Sequence, residues 1–163
     1  MAVLLQISLL KALHLAKSEK EGLKEVRFDM PMYSTFLIQE NGIAAVNLGL
    51  YIAEEGFELP FDPPFAHVQA EFLYRISDLD QLMVQHEDQQ VPEYDLGLLY
   101  SLAGVSYSTL RGMVYEHLAR TPFGKGILPI IAPQAVLSLP DDLESAIKLL
   151  KDSRKESSEE AEE

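Results

Sequence analysis

The side chains able to do chemistry in this chain are few and scattered. Four histidines, His14, His67, His86 and His117, fall on different predicted elements, without the short spacing that lets two imidazoles share one ion. His86-Glu87-Asp88 has no second histidine four residues on, as a zinc-protease helix requires. Asp78-x-Asp80 offers two carboxylates toward a calcium cage, yet a polar link after a strand carries such pairs for solvation alone. Gly124-Lys125-Gly126 lacks both the leading glycine and the hydroxyl residue of a phosphate loop. Gly104-Val105-Ser106 lacks the glycine frame of a nucleophile elbow. The absence of cysteine removes thiol nucleophiles, disulfides and thiolate zinc sites together. The expectation is a non-enzyme with no cofactor and no metal.

Charge narrows the partners. The 163 residues carry 26 Asp and Glu against 13 Lys and Arg, a formal net charge of −13 that repels phosphate backbones and disfavours nucleic acid. The same surface attracts basic partners, or it serves solubility alone. The apolar run from Val3 to Leu10 has no basic region before it, is interrupted by Lys11, and is followed by no well-placed cleavage site. No segment reaches the roughly 18 to 20 apolar residues of a membrane span. A cytoplasmic protein without membrane insertion is expected.

The elements that must position any site fall into two halves. The first half alternates with period two. In residues 3–9, Val3, Leu5, Ile7 and Leu9 share one face against Gln6 and Ser8, although a helix through Leu15 fits the same residues. A second strand starts at Val26 and is blunted by Pro31, which suits an edge or a bulge. Asn41-Gly42 is a turn signal before a third strand with Ala44, Val46, Leu48, Leu50 and Ile52 on one face. The fourth sets Val68, Ala70, Phe72, Tyr74 and Ile76 against Gln69, Glu71, Leu73 and Arg75.

The second half is helical in period. Residues 93–103 read as one helix, and Ser106 as the N-cap of another that reaches Arg120. Leu110, Met113, Val114, His117 and Leu118 make its buried stripe. Residues 127–139 read as an apolar extended segment broken by Pro129 and Pro133. Asp141 and Glu144 form a capping box for a last helix ending near Lys151. Residues 1–151 thus form one domain, and residues 152–163 read as an acidic disordered tail. Strands first and helices afterwards indicate α+β, with a four-stranded antiparallel sheet.

An apolar surplus remains. A sheet covered on one side by helices needs apolar residues on that face only. Tyr51 and Leu73 lie on the opposite faces of their strands, and the proline-rich loop adds Phe57, Phe61 and Phe65. With Leu128, Ile130 and Ile131 these are the candidate contacts for a polypeptide, or else they are covered by a second subunit.

Tyr107 stands four residues before Arg111, and Arg120 nine after it; Phe123 follows in a short loop, and Ala132-Pro133 closes an apolar stretch. In these positions residues 107–133 resemble the SecB family of export chaperones. The run Glu71-Phe72-Leu73-Tyr74-Arg75-Ile76 resembles the SecB-like chaperones attached to toxin–antitoxin systems, and the order of elements agrees over residues 1–150. After the proline, Gln134-Ala135-Val136 replaces the family's Asn-Phe-Asp. The resemblance implies a holdase that binds unfolded polypeptides without ATP, for export or for one dedicated client such as an antitoxin. It implies a homotetramer built as a dimer of dimers, with a translocation motor or toxin–antitoxin proteins as further partners. The competing readings are an adaptor that binds one folded protein and a small-molecule enzyme or lipid binder with a cavity between sheet and helices.

Overall fold

Period-two alternation produces strands where one face is apolar throughout. The computed structural model describes residues 2–14, 28–39, 41–56, 66–84, 93–119 and 128–159. Strands β1 (Ala2–His14), β2 (Phe28–Asp29), β3 (Met32–Ile38), β4 (Ile43–Glu54) and β5 (Ala66–Ile76) form an antiparallel sheet in the order β1-β5-β4, with β3 and β2 both on β4. The two short pieces are one edge strand. The register on β4 runs unbroken from Phe28 opposite Glu54 to Ile38 opposite Ala44. Pro31, which has no N–H to donate, keeps the ladder by accepting from the Tyr51 amide at 3.1 Å. The expected four-stranded antiparallel sheet of an α+β protein is therefore present.

Strand β1 departs from simple alternation. Its register slips between Leu4 and Gln6 and again between Leu9 and Lys11. Ile7 lies opposite Phe72 and Leu9 opposite Ala70, whereas Val3 lies opposite Arg75. The single face expected for Val3, Leu5, Ile7 and Leu9 is thus corrected, because each bulge inserts one residue and reverses the parity.

The hairpin from β3 to β4 turns on Gly42, whose φ of 78° is left-handed. A Cβ there would also lie 2.7 Å from the carbonyl oxygen of Ile76, so glycine alone fits. After β5 a 3-10 turn (Leu79–Leu82) leads to the small hairpin of β6 (Met83–Val84) and β7 (Glu93–Tyr94).

One helix, α1 (Leu96–Leu118), replaces the two expected. Asp95 caps it by accepting from the Leu98 amide at 2.9 Å. Ser106 is no N-cap but a buried mid-helix residue hydrogen-bonded to the Tyr74 hydroxyl at 2.7 Å. Gly104 is where α1 meets Pro133: a Cβ there would come to 3.3 Å from the proline ring. The glycine penalty of about 1 kcal/mol is outweighed by an unbroken buried stripe of Leu98, Leu102, Ala103, Tyr107, Leu110, Val114 and Leu118. That stripe covers one face of β4 and β5, where Val46, Leu48, Leu50, Val68 and Phe72 are wholly buried. Each large side chain enclosed there contributes about 1.5–3 kcal/mol.

Beyond α1 the chain starts a short helix, α2 (Pro133–Leu137), where an extended segment was expected. Pro133 opens it, because a first-turn proline loses no hydrogen bond and its φ is already helical. The Ser34 hydroxyl donates to the Val136 carbonyl at 2.8 Å, and the Ser34 amide donates to the Pro140 carbonyl at 2.8 Å. The chain thereby passes round the outer edge of β3 and reaches the other face of the sheet. There α3 (Leu143–Glu159) begins, capped by Asp142, which accepts from the Ser145 amide at 2.8 Å. Asp142 with Ser145 thus takes the role expected of Asp141 with Glu144. The helix also runs to Glu159, past the expected end near Lys151 and through most of the stretch read as a disordered tail.

Candidate functional site

Two places gather the residues of interest. The first is a short segment fastened along α1. Tyr107 and Arg111 stand four apart on that helix and so share a flank. The Tyr107 hydroxyl donates to the carbonyl of Pro129 at 2.7 Å, and the Arg111 Nε donates to the carbonyl of Leu128 at 2.9 Å. Burial pushes the Tyr107 phenol above its ordinary pKa, and the neighbouring Arg111 charge pulls it partly back. The phenol is therefore a neutral donor across the physiological range.

Leu128 is enclosed in the main core, and Pro133 packs on Gly104 one helical turn from Tyr107. Between these fixed points Ile130 is 84% exposed, and Ile131 is half-buried against the core. An isoleucine held in water by a pinned backbone cannot fold back to hide, which makes it a ready apolar contact. Ala132 caps the α2 helix that follows and is exposed.

The second place is the sheet face opposite α1. Tyr51 is buried there with Ala53 beneath Ile147 and Leu143 of α3. It stands edge-on to His67 with ring centroids 5.5 Å apart. His67 also hydrogen-bonds the Tyr33 hydroxyl at 3.2 Å. Tyr33 lies across Gly49, where a Cβ would fall 1.9 Å from its ring, and burial raises its pKa. Further along α3, Arg154 pairs with Asp29 and stands 3.4 Å from Glu55.

The expected contact residues are thus divided. Leu128, Ile130 and Ile131 lie together with Tyr107, Arg111, Ala132 and Pro133. Tyr51 belongs to the other sheet face and Leu128 to the core, both enclosed rather than open. Leu73 is half-buried, on the same sheet face as Tyr51 but six residues away along the ladder, about 20 Å. Phe57, Phe61, Phe65, Arg120 and Phe123 lie outside the described residues.

Sequence reasoning missed the Asp29–Arg154 pair and the Tyr33–His67–Tyr51 group. The pair had no local signal, being 125 residues apart in the chain. The group had one: His67 and Tyr51 fall on the minor faces of adjacent strands whose major faces were assigned correctly. Among the described residues, no group of three or more His, Cys, Asp or Glu is arranged to hold a metal ion. No helix among them is long and apolar enough to cross a membrane.

No protein-family profile matches the chain, and the comparison with curated proteins gives no match. Among solved structures, the fold is similar to that of the Rv1957 SecB-like chaperone of Mycobacterium tuberculosis, solved in complex with a ChAD peptide from the Rv1956 HigA1 antitoxin. The two superpose with a TM-score of 0.53 at 14% sequence identity, over 80% of this chain and 90% of that one. What the two share is a fold: an antiparallel four-stranded sheet followed by helices, in the SecB-like arrangement.

Proposed function

We propose that this chain is an ATP-independent chaperone that holds unfolded polypeptides in the cytoplasm. The observation that carries the reading is Ile130, an exposed isoleucine on a backbone that Tyr107 and Arg111 hold to α1. A fixed apolar side chain loses little entropy when a client covers it. Several weak contacts of this kind, on one particle, add up to useful affinity for a long chain. Ile131 and Leu73, with Phe57, Phe61 and Phe65, are the other proposed contacts. The net charge of −13 keeps a loaded particle soluble and favours basic client segments.

The fold shared with a chaperone solved on an antitoxin peptide supports a client of that kind, a single dedicated polypeptide. Docking of the loaded particle to a translocation motor is the export form of the same proposal. A homo-oligomer, built as a dimer of dimers, is part of the same proposal. Val105 and Tyr115 are exposed on the outer face of α1 and supply apolar area for contact between copies, although Glu116 is exposed beside them.

The test is binding to a reduced, unfolded test protein in the absence of nucleotide, read by suppressed aggregation and by native mass spectrometry. Stoichiometric protection with many substoichiometric clients supports the holdase. One folded partner at fixed stoichiometry would instead identify an adaptor, and rapid refolding of the test protein in equimolar chain would count against holding.

A further inference from the structure

Helix α3 covers the second sheet face in two separate steps. Ile147 and Leu143 sit over Tyr51 and Ala53, a small cluster apart from the main core. Seven residues beyond Ile147, two helical turns or about 10 Å on, Arg154 reaches Asp29 and Glu55. Asp29 demands that cation. Its side chain is 2% exposed, and among the described residues its Oδ2 is met by one backbone amide, that of Gly56 at 3.1 Å. A carboxylate so far removed from water is costly unless a positive group completes it.

The sheet therefore presents a composite receptor: an apolar patch at Tyr51 and Ala53, and an acidic socket at Asp29 and Glu55 two turns of helix away. Helix α3 satisfies both, while its outward positions Glu144, Lys148, Lys151 and Asp152 are solvated. Among the described residues its grip rests on few buried apolar side chains, Ala146, Ile147 and the half-buried Leu143, which places it among the elements that open at low free energy.

We propose that α3 is a resident stand-in for a partner, and that the face beneath it docks an amphipathic helix of another polypeptide. The partner carries an apolar stripe followed about two turns later by Arg or Lys. It binds when α3 lifts, so Arg154 acts as the latch. This rests on the reading of the chain as a polypeptide binder, and it adds the class of segment bound and the element that competes for the site.

The experiment uses the full chain and a fluorescent synthetic peptide with the sequence of residues 142–159, alongside a twin carrying Arg154→Glu. Three proteins are compared: the parent, Arg154→Ala, and Glu55→Cys/Arg154→Cys joined by a flexible bismaleimide, which the lack of native cysteine makes specific. The expected result is that Arg154→Ala binds the peptide roughly tenfold tighter than the parent, because the closed state no longer competes as strongly. The cross-linked protein should not bind, and the Arg154→Glu twin should bind Arg154→Ala at least about tenfold more weakly than the parent peptide does.

Ile147→Ala loosens α3 without touching the latch and should tighten peptide binding too, which keeps the test decisive if Arg154→Ala folds poorly. Equal affinity across all proteins, or indifference to the charge-reversed twin, overturns the proposal. So does peptide binding undiminished by the cross-link, whether or not the cross-linked chain still captures an unfolded test protein through the Ile130 segment. Loss of all capture by every form, with peptide exchange intact, would remove the holdase reading and keep this one.

Discussion

The hydroxyl of Tyr107 and the carbonyl of Pro129 are 2.7 Å apart, and this bond fixes the backbone next to Ile130. Tyr107→Phe removes the donor while keeping the ring in the core. The expected loss is about 1 kcal/mol of stability, the usual net worth of one such hydrogen bond. Amide exchange at Ile130 and Ile131 should speed up more than exchange in β4 or β5, since the bond ties down a segment rather than the sheet. Mass spectrometry of exchanged peptides checks this, and uniform acceleration everywhere would refute a local role.

The buried pair of Tyr74 and Ser106 makes a second prediction with a sharper sign. Ser106→Ala leaves the Tyr74 hydroxyl buried without its partner at 2.7 Å, so a loss of about 1–3 kcal/mol is expected. Adding Tyr74→Phe removes the stranded group and should recover part of that loss. Chemical denaturation of both single variants and the double variant measures the coupling. Strictly additive losses would mean that the two groups do not stabilise each other.

Much of this architecture was written in local pattern. Strands β4 and β5 could be read because each keeps one face apolar from end to end, and the structure buries those faces under α1. What escaped depends on distant contacts. Ser106 reads as an N-cap until the Tyr74 hydroxyl is found bonded to it, and Arg154 reads as part of a charged tail until Asp29 is placed beneath α3. Leu128 and Ile130 are equivalent in sequence, two aliphatics in one apolar run. Only the donors on α1 decide that the first is enclosed and the second is left in water. The bulges in β1 were hidden for a similar reason, since they are properties of its pairing with β5.

Three phenols, Tyr74 and Tyr107 buried and Tyr33 half-buried, set an alkaline limit. Burial raises the pKa of Tyr33, Tyr74 and Tyr107, with the Ser106 bond lowering Tyr74 and the Arg111 charge lowering Tyr107 in smaller measure. The folded state thus holds these protons more tightly than the unfolded chain does. Their contribution is complete below about pH 10, where free tyrosine begins to ionise, and is lost as pH rises through the folded values. Urea midpoints should hold up to about pH 9.5 and fall beyond about pH 10. The triple replacement of Tyr33, Tyr74 and Tyr107 by Phe should flatten that fall.

Gly49 and Tyr33 are expected to be coupled. A Cβ at position 49 would collide with the Tyr33 ring, though only with the outer end of a side chain that is half-exposed. Gly49→Ala should swing the ring aside and cost about 1–3 kcal/mol, the usual range for overpacking. In a Tyr33→Ala background the same change should cost markedly less, because the collision is gone. Thermal melts of the four proteins in the cycle decide the matter.

Leu128 and Ile130 separate folding from binding. Leu128→Ser opens a cavity and buries a hydroxyl in the core, so about 2–5 kcal/mol should be lost. Ile130→Ser changes a side chain that is already 84% exposed, and its effect on stability should stay within about 0.5 kcal/mol. Yet if the pinned segment is where polypeptides bind, Ile130→Ser should weaken capture of an unfolded test protein, by roughly tenfold for an apolar anchor removed from the centre of a contact. Melting temperature and client affinity, measured on the same preparations, must then move independently. A variant that melts like the parent and holds clients equally well would show that clients bypass this isoleucine.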